Sequence, residues 1–309
     1  MAVMTEQSNL AKLLEYINER HPRSVIGVKE AQSVDPSRFE RIAEMYLQWA
    51  IEARGAEGIA KCADAFARFS ASVNLAQARY EKSGHYEHKT YAQCYDTVYA
   101  DTSMADYLWG VYLTTFLWAH HFELNLMYED RFLDYLPDGV EVVEIAPGHG
   151  GWGIWALHAL PKATLRGYDI SPSSIEIASS IADAAGMTER ASYFEQDGLA
   201  LPTETIESAD ACICCFLVEH LEEPQRLFAS IKRVLRPGAR AFVTGALTAA
   251  QVDHIYEFRR ESELLRLAED SGLRVVESRS AVPRRALRNA TFVPRSMAMI
   301  VENKLPKRW

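Results

Sequence analysis

Residues 140–157, VEVVEIAPGHGGWGIWAL, decide the fold: an apolar run of strand character meets a glycine-rich turn and passes straight into a helical pattern. Gly148, Gly150 and Gly153 form G-x-G-x-x-G. Asp169 closes the next apolar run about 20 residues beyond the first glycine, the spacing at which an acidic side chain meets ribose hydroxyls. Glycines in such a turn let a ligand approach the backbone, the helix start offers N–H groups, and the carboxylate accepts hydrogen bonds. The pattern predicts a ribose-bearing ligand. By itself it fits a dinucleotide as well as another nucleoside.

Outward from the turn, short apolar runs alternate with helical periodicity, the signature of a parallel sheet with crossover helices. The runs predict strands over 140–146, 163–169, 191–196, 208–216, 238–245, 273–281 and 295–301, and helices over 151–160, 172–186, 222–235 and 258–271. Arg236-Pro237-Gly238 and Ser271-Gly272 read as the stops of the last two helices.

The order of these segments separates the two ligands. EIAPGHG resembles the first motif of class I S-adenosylmethionine-dependent methyltransferases, an acidic residue ahead of a small-x-Gly-x-Gly turn. Glu144 matches the acidic position, and Ala146, Gly148 and Gly150 match the turn that cradles the methionine part of the cofactor. GYDIS is similar to the segment carrying the ribose carboxylate, here Asp169 followed by Ile170, and FEQDGLALP places Asp197-Gly198 beside the adenine amine. FLVEHLEEPQRLFASIKRVLRPGARAFVT is similar to the fourth strand, its helix and the turn into the fifth, with Phe216 at the end of that strand reading either as core or as an adenine neighbour. SMAMIV suits the extra antiparallel strand.

The resemblance covers residues 140–301 and implies S-adenosylmethionine as cofactor. It also implies an α/β fold, a Rossmann-like mixed seven-stranded sheet with helices on both faces, preceded by an all-helical N-terminal region. The expected division is a helical region over 1–136, serving as lid and candidate oligomerisation surface, and a cofactor-binding domain over 137–309. A sulfonium cofactor has no phosphate, and EIAPGHGGWG contains no basic residue apart from His149. A positive sulfonium is favoured by carboxylates and aromatic faces.

Composition narrows the partners. With 48% apolar and 24% charged residues among 309, the chain has the makeup of a folded globular protein with room for a core and an appendage. A net charge of −9 gives no electrostatic reason to approach nucleic acid. No uninterrupted apolar span of membrane length occurs, and no basic segment leads into an apolar stretch at the N-terminus. The expected setting is cytoplasmic, the expected partner a small-molecule substrate, with a homodimer through the helical half as a further expectation. Five cysteines without metal-site spacing read as reduced core thiols, and no metal is expected.

Before residue 137 the pattern is helical. Asp35-Pro36 gives an N-cap and first-turn proline, followed by Phe39, Ile42, Met45 and Trp49 at helical spacing; Ile59, Cys62, Phe66, Phe69 and Val73 repeat the stripe. Tyr91, Tyr95 and Tyr99 recur four apart on one helix face, which reads either as core packing or as a lid over cofactor and substrate.

Methyl transfer needs alignment of nucleophile, methyl and sulfur, with removal of a proton where the nucleophile carries one. His220, just beyond the fourth strand at the ligand-binding edge of the sheet, is the candidate base, with Tyr95 as a second candidate for the chemistry. His120-His121 reads as helix surface or an N-cap, and Arg284, Arg285 and Arg288 as a solvated loop. Two other functions share these motifs. One is an enzyme of the same fold that cyclises the aminobutyrate chain of the cofactor and releases methylthioadenosine. The other is a non-catalytic cofactor-binding partner subunit.

Overall fold

The structure is a computed structural model that describes residues 7–95, 104–285 and 289–305. Its first half consists of helices α1 (Asn9–Arg20), α2 (Val25–Gln32), α3 (Pro36–Arg54), α4 (Gly58–Ser83), the short α5 (Tyr91–Cys94), α6 (Met104–Leu117) and α7 (Ala119–Met127). The N-cap read at Asp35 forms, its carboxylate accepting from the Arg38 N–H at 3.1 Å with Pro36 in the first turn. The apolar stripes of α3 and α4 face inward: Phe39, Ile42, Trp49, Ile59, Cys62, Phe66 and Phe69 are all buried.

The second half alternates strand and helix: β1 (Glu141–Ile145), α8 (Gly151–Ala159), β2 (Thr164–Asp169), α9 (Pro172–Ala184), β3 (Ala191–Glu195), β4 (Ala209–Cys214), α10 (Gln225–Val234), β5 (Leu235–Leu247), α11 (Glu261–Asp270), β6 (Leu273–Ala281) and β7 (Arg295–Asn303). The strands form one seven-stranded sheet in the order β3-β2-β1-β4-β5-β7-β6. The pairs from β3 to β5 are parallel, and β7 runs antiparallel to both β5 and β6. Strand order reverses between β1 and β4, and the crevice beyond their carboxyl ends is where open α/β sheets bind ligands.

One face of the sheet, through Val142, Ile213, Phe242 and Ile300, shares a continuous apolar cluster with α1, α3, α6 and α7. The other face packs Val143, Cys212, Val243 and Met299 against α10 and α11. Alternate residues of each strand therefore serve opposite layers, as a pleated strand requires.

One stop differs from its reading. Helix α10 ends at Val234, but Arg236-Pro237-Gly238 lies inside β5, where pairing with β4 jumps from Ala209–Leu235 to Ala211–Arg240. The segment forms an irregularity of the strand, because Gly238 takes φ +84° and proline has no N–H for the ladder. The five cysteines are outside any disulfide, and Cys62, Cys94, Cys212 and Cys214 are buried. Among the described residues no helix is long and apolar enough to cross a membrane.

Candidate active site

The turn after β1 is held in left-handed backbone by its surroundings. Ala146, Gly148 and Gly150 have φ of 53°, 55° and 73°. Ala146 is a non-glycine residue there, a conformation that costs about 1–3 kcal/mol and persists only where neighbours enforce it. They do: its N–H donates to the Tyr168 carbonyl at 2.8 Å, and the Gly150 N–H donates to the Pro147 carbonyl at 2.8 Å. Gly150 then caps α8 with its backbone tight against α9.

Asp169, at the end of β2, clamps this turn. One carboxylate oxygen accepts from the Gly148 N–H at 3.1 Å and the other from the Ser171 N–H at 2.9 Å. Burial raises its pKa, while those backbone bonds oppose the rise. A carboxylate has about four lone-pair sites, so two backbone donors leave acceptor capacity toward the cavity.

Both sides of this clamp open into one cavity of about 2000 Å³. Its wall brings together Ala146, Gly148, Asp169, Ile170, Asp197, Gly198, Phe216, Tyr91, Tyr95 and His220. Asp197 is fixed by the Leu199 N–H at 2.8 Å. Ile170 is half exposed toward the opening, an apolar surface of the kind a nucleobase covers. Phe216 sits in left-handed backbone, φ 54°, with its N–H on the Thr244 hydroxyl at 2.9 Å, and its ring stacks on His121 at 4.6 Å. Tyr91 and Tyr95 stand 5.9 Å apart, with the Tyr91 N–H on Glu222 at 2.8 Å. Tyr99 lies outside the described residues.

Glu144 and Gly150 are not on that wall. Glu144 is buried behind the turn, where it accepts from the Gly153 N–H at 3.2 Å, and burial pushes its carboxyl well above the usual range. Their contribution to a ligand therefore passes through the shape of the turn. The same geometry suits a phosphate-free cofactor: backbone N–H groups and carboxylates line the turn, and no basic side chain lies in residues 144–153 apart from neutral His149.

His149 accepts the Gly151 N–H on Nδ1 at 3.0 Å, which requires that nitrogen to be unprotonated, and burial holds its pKa down to about 4. An unfolded imidazole takes its proton near pH 6.5. Between these values the unfolded chain binds more protons, so stability rises with pH and is lost as pH falls from about 6.5 toward 4. His149 should make the fold about 2 kcal/mol less stable at pH 5 than at pH 7. Thermal melts at the two pH values check this; His149→Gln should show a smaller difference than the wild type.

Several wall residues had no signal in the sequence. His120 and His121, read as helix surface or an N-cap, instead line the cavity because the helix is interrupted at Trp118 between α6 and α7, which turns the pair inward. Burial pushes both imidazoles down, His120 to about 3. Arg284 and Arg285 are exposed, as the solvated-loop reading expects, and also reach Ser33 at 2.7 Å and Glu30 at 2.8 Å; Arg288 lies outside the described residues.

At the far end of the cavity, His220 meets the loop between β5 and α11. Its Nδ1 lies 3.0 Å from the Asp253 carbonyl and 3.5 Å from the Asp253 carboxylate, which also accepts from the Tyr107 hydroxyl at 2.9 Å. Burial alone would raise the Asp253 pKa, but the nearby imidazoles and the Tyr107 hydrogen bond bring it below the usual value. His254 packs edge-on to His220 at 4.8 Å. The loop is pinned by the Ile255 and Tyr256 N–H groups, each 2.9 Å from the Glu219 carbonyl. Sequence spacing could not join Glu219-His220 to Asp253-His254, because only the loop's fold-back brings them together.

Residues 142–238 match the methyltransferase domain family. Over these residues the chain carries a methyltransferase domain. The cofactor of this methyltransferase fold is S-adenosylmethionine. The methyltransferase domain is 28% identical over 155 residues to the ubiquinone biosynthesis O-methyltransferase of Leptothrix cholodnii, covering 44% of this chain and 65% of the relative. It is 29% identical over 160 residues to the protein of that name from Cupriavidus pinatubonensis, covering 46% of this chain and 63% of the relative. The chain thus spans less than two thirds of the length of these relatives. Among solved structures, an O-methyltransferase family protein from Burkholderia thailandensis superposes with a TM-score of 0.55 at 14% identity, over 79% of this chain and 72% of that one. The (4+2)-cyclase SpnF superposes with a TM-score of 0.52 at 16% identity, over 61% of this chain and 83% of that one. These two share the methyltransferase fold.

Proposed function

We propose that this chain transfers the methyl group of S-adenosylmethionine to an oxygen of a small, largely apolar molecule. The observation that carries the reading is the common cavity: Asp169 and the Gly148 turn stand on one part of its wall, and Glu219, His220 and His254 on another. At about 2000 Å³ it exceeds the roughly 300–1,000 Å³ of a single small-molecule site, which leaves room for cofactor and acceptor together.

Phe66, Phe69, Leu108, Val111, Leu117 and Trp118 supply an apolar wall from the helical half, suited to the body of the acceptor. Its reacting oxygen lies against the Glu219–His220–His254 group, where loss of its proton is assisted. Tyr91 and Tyr95 cover the cofactor end. The O-methyltransferase relatives support oxygen as the accepting atom, and the negative net charge supports a small molecule over a nucleic acid.

Incubation of the protein with S-adenosylmethionine and fractionated small-molecule extract tests the reading. The expected products are S-adenosylhomocysteine and an acceptor heavier by one methylene unit. Methylthioadenosine as the product would establish the cyclising alternative, and tight cofactor binding without turnover in any fraction would favour a partner subunit.

A further inference from the structure

We propose that Glu219, His220 and His254 bind one divalent transition-metal ion at the acceptor end of the cavity. One donor atom from each of the three lies within 4.8 Å of the other two. Ligand atoms around an ion with bonds of about 2.1 Å stand roughly 3–3.5 Å apart, so side-chain adjustments of about an ångström complete the site.

Two observations point to a cation. Glu219 is fully buried, and neither carboxylate oxygen makes a well-formed hydrogen bond; only the backbone N–H groups of Glu219 and Ala246 lie near enough to ease its charge. A carboxyl group left so is costly, by several kcal/mol if ionised, and a cation supplies the missing partner. The imidazoles, in turn, are oriented as metal ligands usually are. His254 Nδ1 lies 2.6 Å from the Ala249 carbonyl, and His220 Nδ1 lies 3.0 Å from the Asp253 carbonyl. An Nδ1–H donating to a carbonyl fixes the tautomer with its lone pair on Nε2.

The scaffold is rigid where the site needs it. Glu219 and His220 lie in a short 3-10 turn, Val218–His220, shortly after β4, and the His254 loop is bonded to the Glu219 main chain through Ile255 and Tyr256. Two imidazoles and one carboxylate suit zinc, iron(II) or manganese(II), and three protein ligands leave coordination positions toward the cavity. An acceptor hydroxyl bound there would give up its proton to water more readily, because the ion stabilises the resulting oxyanion. The ion thereby takes over the task that the sequence assigns to His220 as a base. That role rests on the methyl-transfer reading, whereas binding of the ion does not.

The test uses the whole chain, stripped with chelator, then titrated with Co²⁺ by visible absorption and with Zn²⁺ by equilibrium dialysis. One equivalent should bind with ligand-field bands in the visible for Co²⁺. Glu219→Gln and His254→Ala should each weaken binding by more than about 10-fold, while His158→Ala, an exposed position on α8, should bind as the wild type does. Failure of the wild type to bind one equivalent overturns the proposal, as does binding that both site substitutions leave unchanged. Metal failure alongside normal cofactor turnover leaves the methyltransferase reading standing; the converse overturns that reading alone.

Discussion

Asp169→Ala should lower the affinity for S-adenosylmethionine by roughly 10- to 150-fold, the loss expected when hydrogen bonds to a charged group worth about 1.5–3 kcal/mol are removed. The carboxylate acts twice in this structure. It faces the cavity, and it holds the Gly148 and Ser171 N–H groups on either side of it. Asp169→Asn keeps one side-chain acceptor oxygen, so its loss should be smaller than that of the alanine variant. Isothermal titration of both variants against the wild type measures the difference. Wild-type affinity in the alanine variant would remove Asp169 from the cofactor site.

Gly150→Ala should destabilise the fold by about 2–5 kcal/mol, because two costs add at this position: left-handed backbone for an L-residue, about 1–2 kcal/mol, and overpacking, about 1–3 kcal/mol. Gly150 has φ +73°, and an added Cβ would stand 2.8 Å from Ala178 Cβ and 2.9 Å from its Cα. Both neighbouring atoms belong to the rigid start of a side chain on α9 and cannot swing away. Gly186 is the internal control, with φ +67° and nothing within 4 Å of its added Cβ. Gly186→Ala should therefore show the backbone cost alone. Thermal melts should place Gly150→Ala several degrees below Gly186→Ala; equal melting temperatures would mean that α9 yields and the close contact costs little.

The turn that Gly150 closes was the most legible feature of the chain, and the reason is local. Glycine spacing, the apolar run before it and Asp169 at the end of the following strand are properties of consecutive residues in regular elements, so their pattern survives in one dimension. The alternation from residue 140 onward gave the sheet and its helices by the same logic. It misplaced Arg236-Pro237-Gly238 because residues that stop a helix also suit an irregular strand, and only pairing with β4 chooses between them.

The sequence by itself determined the cofactor turn, the strand succession around it and the helical character of the first half. Tertiary structure alone decided the acceptor end. His120 and His121 became cavity wall through an interruption of the helix at Trp118, and Glu144 lies behind the turn it shapes. His254 reached His220 through a loop folded back onto the Glu219 carbonyl, a contact between segments more than 30 residues apart. Such encounters depend on how loops cross the sheet edge and on hydrogen bonds between distant main-chain groups, neither of which leaves a periodic mark in the sequence.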